Sequence, residues 1–190
     1  MEKLDEYLSH LPVSTDKLRA LGFFDAPASK SHHLAVRGGL AQHSVDVTKW
    51  LLTLTKTMDV KWPRPESPYI VGMLHDLVKC KCYEFKKEKE RVLDSWKDRE
   101  VETIAYKQSG YPGHGAASAL IIAAELGLVL LPAEQIAIVG HMGAFCLSGD
   151  ALKEFDAMLD AYPREIIATH TADMLASRID EATRPVAAKE

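Results

Sequence analysis

Cysteine is scarce in this chain of 190 residues, which carries only Cys80, Cys82 and Cys146. An odd number cannot all pair internally, and Cys80-Lys81-Cys82 lacks the two-residue gap of a redox or zinc-knuckle pair, so reduced thiols are expected. Long apolar runs are missing as well, since none approaches the ~20 residues that span a bilayer. The opening segment, MEKLDEYLSHLP, alternates charged and apolar groups where a signal peptide needs a basic start followed by an apolar run. A cytoplasmic protein with no membrane partner is the expectation. Nor does one sign of charge dominate. A net charge of −4 and a pI near 6.1 argue against broad capture of nucleic-acid phosphates, while leaving room for a local basic patch over one site. Repeats, low-complexity tracts and dividing linkers are also lacking, so one domain over residues 1–190 is expected, with its core at about 30–182.

What is present is mostly helical pattern. A short helix over residues 2–9 is expected, then a second that starts at Ser14-Thr15-Asp16 and stops at Gly22. Residues 40–58 give the clearest long helix, because His43, Val47, Trp50, Leu51, Leu54 and Met58 recur at spacings of three and four, which turns His43 inward. Ser67 as N-cap and Pro68 at the first helical position open a helix through about Lys79, apolar nearly all round and hence central. Residues 83–107 are heavily charged with strand-forming residues near 101–106, and read as a β-hairpin excursion. Beyond the Gly110-Tyr111-Pro112-Gly113 turn, helices are expected over 116–126, from Pro132 to about His141, over 151–161 and over 163–182. The fold class is all-α, a bundle of six to eight helices with one small β excursion.

Histidine and aspartate are distributed in a way that a structural core does not require. His43, the pair His75-Asp76, His114, His141 and Asp173 place one or two candidate ligands on each of five successive helices or helix starts, which a bundle can aim at one point. A single histidine on an apolar face is more often a hydrogen-bonded core residue than a ligand. A buried His75-Asp76 ion pair is the plainer alternative, yet it explains two of the residues and leaves the others unexplained. Imidazole nitrogen combined with carboxylate oxygen suits borderline first-row ions, namely Mn²⁺, Fe²⁺, Co²⁺, Ni²⁺ or Zn²⁺, better than Mg²⁺ or Ca²⁺.

The order H…HD…H…H…D resembles the HD-domain metal-dependent phosphohydrolase superfamily, in the variant whose two extra histidines accompany a two-metal site. The resemblance spans residues 30–180 and rests on five ordered blocks: His32-His33 with Gly38-Gly39-Leu40-Ala41-Gln42-His43-Ser44; Leu74-His75-Asp76-Leu77-Val78-Lys79; Gly113-His114-Gly115; His141-Met142-Gly143; and His170-Thr171-Ala172-Asp173. It is nearest to small stand-alone HD proteins of phages and bacteria, and to the HD domain that 3′ to 5′ exoribonucleases couple to an OB fold. Gly110-Tyr111-Pro112 is not the motif of the cyclic-di-GMP phosphodiesterases, where that run follows a paired-histidine block; here it precedes His114 and reads as a turn.

The resemblance implies an HD-domain bundle in which His43, His75, Asp76 and Asp173 ligate one metal and Asp76 bridges to a second held by His114 and His141. Two cations about 3.5–4 Å apart can supply hydroxide at neutral pH and polarise a phosphoryl oxygen. The implied activity is hydrolysis of a nucleotide phosphoester or phosphoanhydride, in a nucleoside monophosphate or a deoxynucleoside triphosphate, by attack of a hydroxide bridging the two metals. Three rivals share the scaffold: a 3′ to 5′ exonuclease on short RNA or DNA, a mixed-valence di-iron oxygenase, and a non-catalytic nucleotide-sensing module. A free nucleotide is preferred because the chain lacks an OB-type domain and is net negative. Lys79 is expected to reach a substrate phosphate, with a lysine snorkelling from a helix end as the alternative. His33 is a candidate phosphate clamp or proton donor, Arg37 a weaker one. His170 shares a face with Asp173 and is expected to orient a ligand rather than to be one. Phe145 is a weaker candidate for packing on a base or sugar. The setting is bacterial cytoplasm, or that of a host cell for a phage protein, and a homo-oligomer is compatible with the sequence.

Overall fold

Local capping chemistry sets the first helices of the computed structural model, which describes residues 2–32, 34–91, 98–111, 113–144 and 147–182. Helix α1 is Glu2–Ser9, and α2 is Thr15–Leu21. The Ser14 hydroxyl accepts from the Asp16 amide at 3.2 Å, and Gly22 adopts the left-handed conformation (φ 84°) that closes a helix without a Cβ clash. Helix α3, Gly39–Thr57, buries His43, Val47 and Leu51 along one stripe, as the spacing of apolar residues requires.

Helix α4 is Ser67–Leu74, shorter than the sequence suggests. Ser67 is its first residue rather than its cap, and its hydroxyl donates to the buried Glu134 carboxylate at 2.7 Å. After Leu74 the backbone tightens, with Leu77 bonding to Leu74, Lys79 to Asp76, Cys80 to Leu77 and Lys81 to Val78, each three residues back. A four-residue helix α5, Lys79–Cys82, follows. The expected continuous helix is thus broken at His75-Asp76, and three-residue turns stack residue i+3 above residue i. This split explains why nine helices occur among the described residues where six to eight were expected.

The excursion is a two-stranded antiparallel hairpin, β1 Tyr83–Arg91 and β2 Asp98–Tyr106, with Tyr83 opposite Tyr106 and Phe85 opposite Ile104. Helix α6, His114–Ile121, runs into a π turn, Ile122–Leu126, which Gly127 closes at φ 68°. Helices α7 (Pro132–Gly140), α8 (Asp150–Ala161) and α9 (Pro163–Leu175) complete the bundle, and a second π turn, Ala176–Asp180, extends α9.

Helix α3 lies between α4 and α9, while α7 contacts α4, α6 and α9. Two glycines permit the closest approaches. A Cβ at Gly72 would strike Thr48 of α3 at 2.8 Å from its Cα, and one at Gly115 would strike the carbonyls of Ile138 and Val139 in α7. The histidine-bearing helices are drawn together at these points. Leu40, Leu51, Ile70, Leu74, Ile121 and Ile138 fill the space between them and are fully buried. No helix among the described residues is long and apolar enough to cross a membrane.

Candidate metal centre

The six histidines and aspartates singled out by spacing converge where α3, α4, α6, α7 and α9 meet. His43 comes from the first turns of α3, His75 and His141 from the residues that end α4 and α7, His114 from the start of α6, and Asp173 from near the end of α9. Four imidazoles form a row, with ring centres 5.3 Å apart for His43 and His75, 4.9 Å for His75 and His141, and 5.6 Å for His114 and His141.

Asp76 is the hub. Its Oδ2 lies 3.5 Å from Nε2 of His43 and 3.5 Å from Nε2 of His75. Its Oδ1 lies 2.5 Å from Nε2 of His114 and 3.4 Å from Nε2 of His141. Each carboxylate oxygen thus faces its own pair of histidines. Asp173 Oδ1 joins the first pair, 3.3 Å from His43 Nε2. Two subsets have donor atoms close enough together to hold a metal ion: His43, His75 and Asp173, and His75, Asp76 and His141.

The imidazoles are oriented from behind. His75 Nδ1 donates to the Gly72 carbonyl at 2.9 Å, His141 Nδ1 donates to that of Ile138 at 2.6 Å, and His43 Nδ1 meets Glu181 Oε1 at 2.7 Å. The Nδ1 contacts turn all three Nε2 atoms into the cluster, and at His75 the proton held on Nδ1 leaves the Nε2 lone pair directed there. Nε2 of His75 is buried with no hydrogen-bond partner, an arrangement that costs free energy unless a cation takes the lone pair. The donor set of ring nitrogens and carboxylate oxygens fits a first-row divalent ion.

Electrostatics divides the cluster. Burial and the neighbouring imidazoles hold His75 neutral, its pKa lowered to about 3. Burial also acts to lower His43 and His141, but carboxylate contacts prevail: Asp173, Asp76 and Glu181 hold His43 well above the ordinary histidine value, and Asp76 raises His141. Burial acts to raise Asp76 and Asp173, yet Lys79 with the histidines keeps the first ionised well below the usual carboxylate range, and His43 does the same for the second. Ionised carboxylates are thus ringed by histidines and Lys79, and the groups are unevenly exposed. His43, His75 and His141 are wholly buried and Asp76 is 3% exposed, whereas Asp173 is 21% and His114 32% exposed.

Lys79 is not a snorkelling surface lysine: the tightened turn stacks it over Asp76, with Nζ 2.5 Å from Oδ2. Burial disfavours its charge, but Asp76 outweighs burial and raises its pKa. His170 sits behind the cluster, its Nδ1 donating to the His141 carbonyl at 2.7 Å and its ring lying under Gly143, so it buttresses the turn after α7. Arg37 joins the hairpin instead of the cluster, with a paired contact to Glu102 (2.6 and 3.0 Å) and its guanidinium 4.1 Å from the Phe85 ring centre. His33 and Phe145 lie outside the described residues. Glu181 is the site residue that the sequence pattern does not single out, because a carboxylate in a charged C-terminal segment is ordinarily solvated.

Compared with protein-family models, with curated proteins and with solved structures, the chain matches none.

Proposed function

We propose that the cluster is a binuclear metal centre and that the protein is a metal-dependent phosphohydrolase of HD type acting on a nucleotide. The observation that carries this reading is the split of Asp76, one oxygen toward His43 and His75 and the other toward His114 and His141. A carboxylate so placed suits a bridge between two cations; a buried His-Asp pair needs one imidazole, not four. Cations bound there, among Mn²⁺, Fe²⁺, Co²⁺, Ni²⁺ and Zn²⁺, would supply hydroxide at neutral pH and Lewis-acid activation of phosphorus.

The chain's own residues do the rest. His43, His75 and Asp173 would hold one cation and His114 and His141 the other, with Asp76 shared. The Lys79 ammonium, bonded to Asp76, would compensate the charge of a phosphate bound beside that carboxylate. His114 and Asp173 are the partly exposed members of the cluster, the side on which a phosphate would bind.

Purification without oxygen, metal analysis, and a screen of Mn²⁺, Co²⁺, Ni²⁺ and Fe²⁺ against pooled nucleotides and short RNA test the reading. About two metals per chain, with phosphate or nucleoside release and no oxygen uptake, is the expected result. Mononucleotide release from RNA moves the substrate to a nucleic-acid end, and iron with oxygen uptake makes the protein an oxygenase. Metal or nucleotide binding without turnover makes it a sensing module.

A further inference from the structure

Glu181 has no part in the reading above, yet its carboxylate side chain is wholly buried and reaches His43 Nδ1 at 2.7 Å. The reason lies in where each histidine sits on its helix. His75 and His141 follow the last residues of α4 and α7, where terminal carbonyls lack an intrahelical N–H, so Gly72 and Ile138 can accept their Nδ1 protons. His43 stands in the first turns of α3, where the carbonyls behind it are taken by the helix ladder. Its Nδ1 needs an acceptor from elsewhere in the fold.

The π turn delivers one. Residues 173 and 181 are eight apart, which in a regular α-helix at about 100° per residue puts them about 80° out of phase. The Glu181 amide bonds to the Ala176 carbonyl at 3.0 Å, five residues back, so Ala176–Asp180 absorbs one extra residue. Glu181 then falls where a seventh residue would, about 20° from Asp173, and both face α3. Asp180 pins the turn in place: the Trp50 indole donates to its Oδ2 at 2.9 Å, and Lys49 Nζ lies 3.4 Å away.

We propose that Glu181 is a positioning residue of the metal centre, accepting the His43 Nδ1 proton so that Nε2 is fixed toward the cation shared with His75 and Asp173. This rests on the metal-centre reading. A carboxylate behind a ligating imidazole fixes the tautomer and increases the basicity of the ligating nitrogen.

The test uses the full chain, metal-free, titrated with Co²⁺ in a calorimeter, together with ¹⁵N shifts of the His43 ring. E181A is expected to bind Co²⁺ about 10–100-fold more weakly and to lose the fixed Nδ1–H tautomer. E181Q keeps an acceptor oxygen without the charge; it is expected to keep the tautomer and to fall between wild type and E181A in affinity. A wild-type protein that binds no Co²⁺ overturns the metal-centre reading and this inference with it. Wild-type binding with unchanged affinity in a folded E181A overturns only the role of Glu181. If E181A does not fold, E181Q decides, and an unaltered Co²⁺ affinity there overturns the role.

Discussion

Two regions of this molecule are rich in charge, and they use it in opposite ways. In the hairpin, Lys86 pairs with Glu84 at 2.8 Å and Lys87 with Glu100 at 3.7 Å, all in water. At the centre, Lys79 pairs with Asp76 at 2.5 Å, walled in by apolar helices. The Lys86 and Lys79 contacts are similar in length, and their surroundings are not. Water screens the hairpin pairs and solvates each partner alone, so breaking one costs little. The centre has no such reserve, and removal of one member leaves the others charged and dry. Ion pairs keep the hairpin dissolved; at the centre they concentrate donor atoms at a point.

The largest expected break in this contrast is Asp76→Ala. It removes the hub from four histidines and Lys79, and metal binding and activity should be abolished. The metal-free protein should lose about 3–5 kcal/mol in urea denaturation, as when a buried charge pair is halved. A fully active variant would sink the mechanism. Acid should separate the regions next. His75 titrates near 3 in the fold and near 6.5 when unfolded, so the unfolded chain takes up the extra proton between those values. Stability of the metal-free protein should therefore fall as pH drops from about 6.5 to 3, with loss of the depressed Asp76 and Asp173 carboxylates adding to it below about 4. Melting curves across this range check the sign.

Lys79→Ala sharpens the division of labour within the centre. Metal content should stay as in wild type while the KM for a phosphate substrate rises; metal lost along with affinity would make Lys79 part of the scaffold. The smallest effect is expected from Lys87→Ala in the hairpin, whose melting temperature should match wild type, because its partner Glu100 is as well solvated alone.

Much of the fold was legible because local chemistry wrote it. Ser14 and Gly22 bound α2, the three-and-four spacing from His43 to Met58 gives α3, and alternating charge with strand formers gives the hairpin. The break at His75-Asp76 was not legible, since YIVGMLHDLVK is apolar nearly all round and nothing in it marks a change from four-residue to three-residue hydrogen bonding. Nor was the partner of Arg37 legible: this weaker candidate, named for its place just before α3, is held by Glu102 and Phe85, a pairing across 65 residues of chain that no local pattern encodes.

By itself, then, the sequence determined which residue types could ligate and on which helices they ride, because ligand chemistry and helical period are local properties. Only the tertiary structure decided that one carboxylate, Asp76, sits among all four histidines, and that Glu181 lies behind one of them. Both follow from how closely helices pack at Gly72 and Gly115 and from where one extra residue is wound into the end of α9, which are properties of contacts between segments distant in the chain.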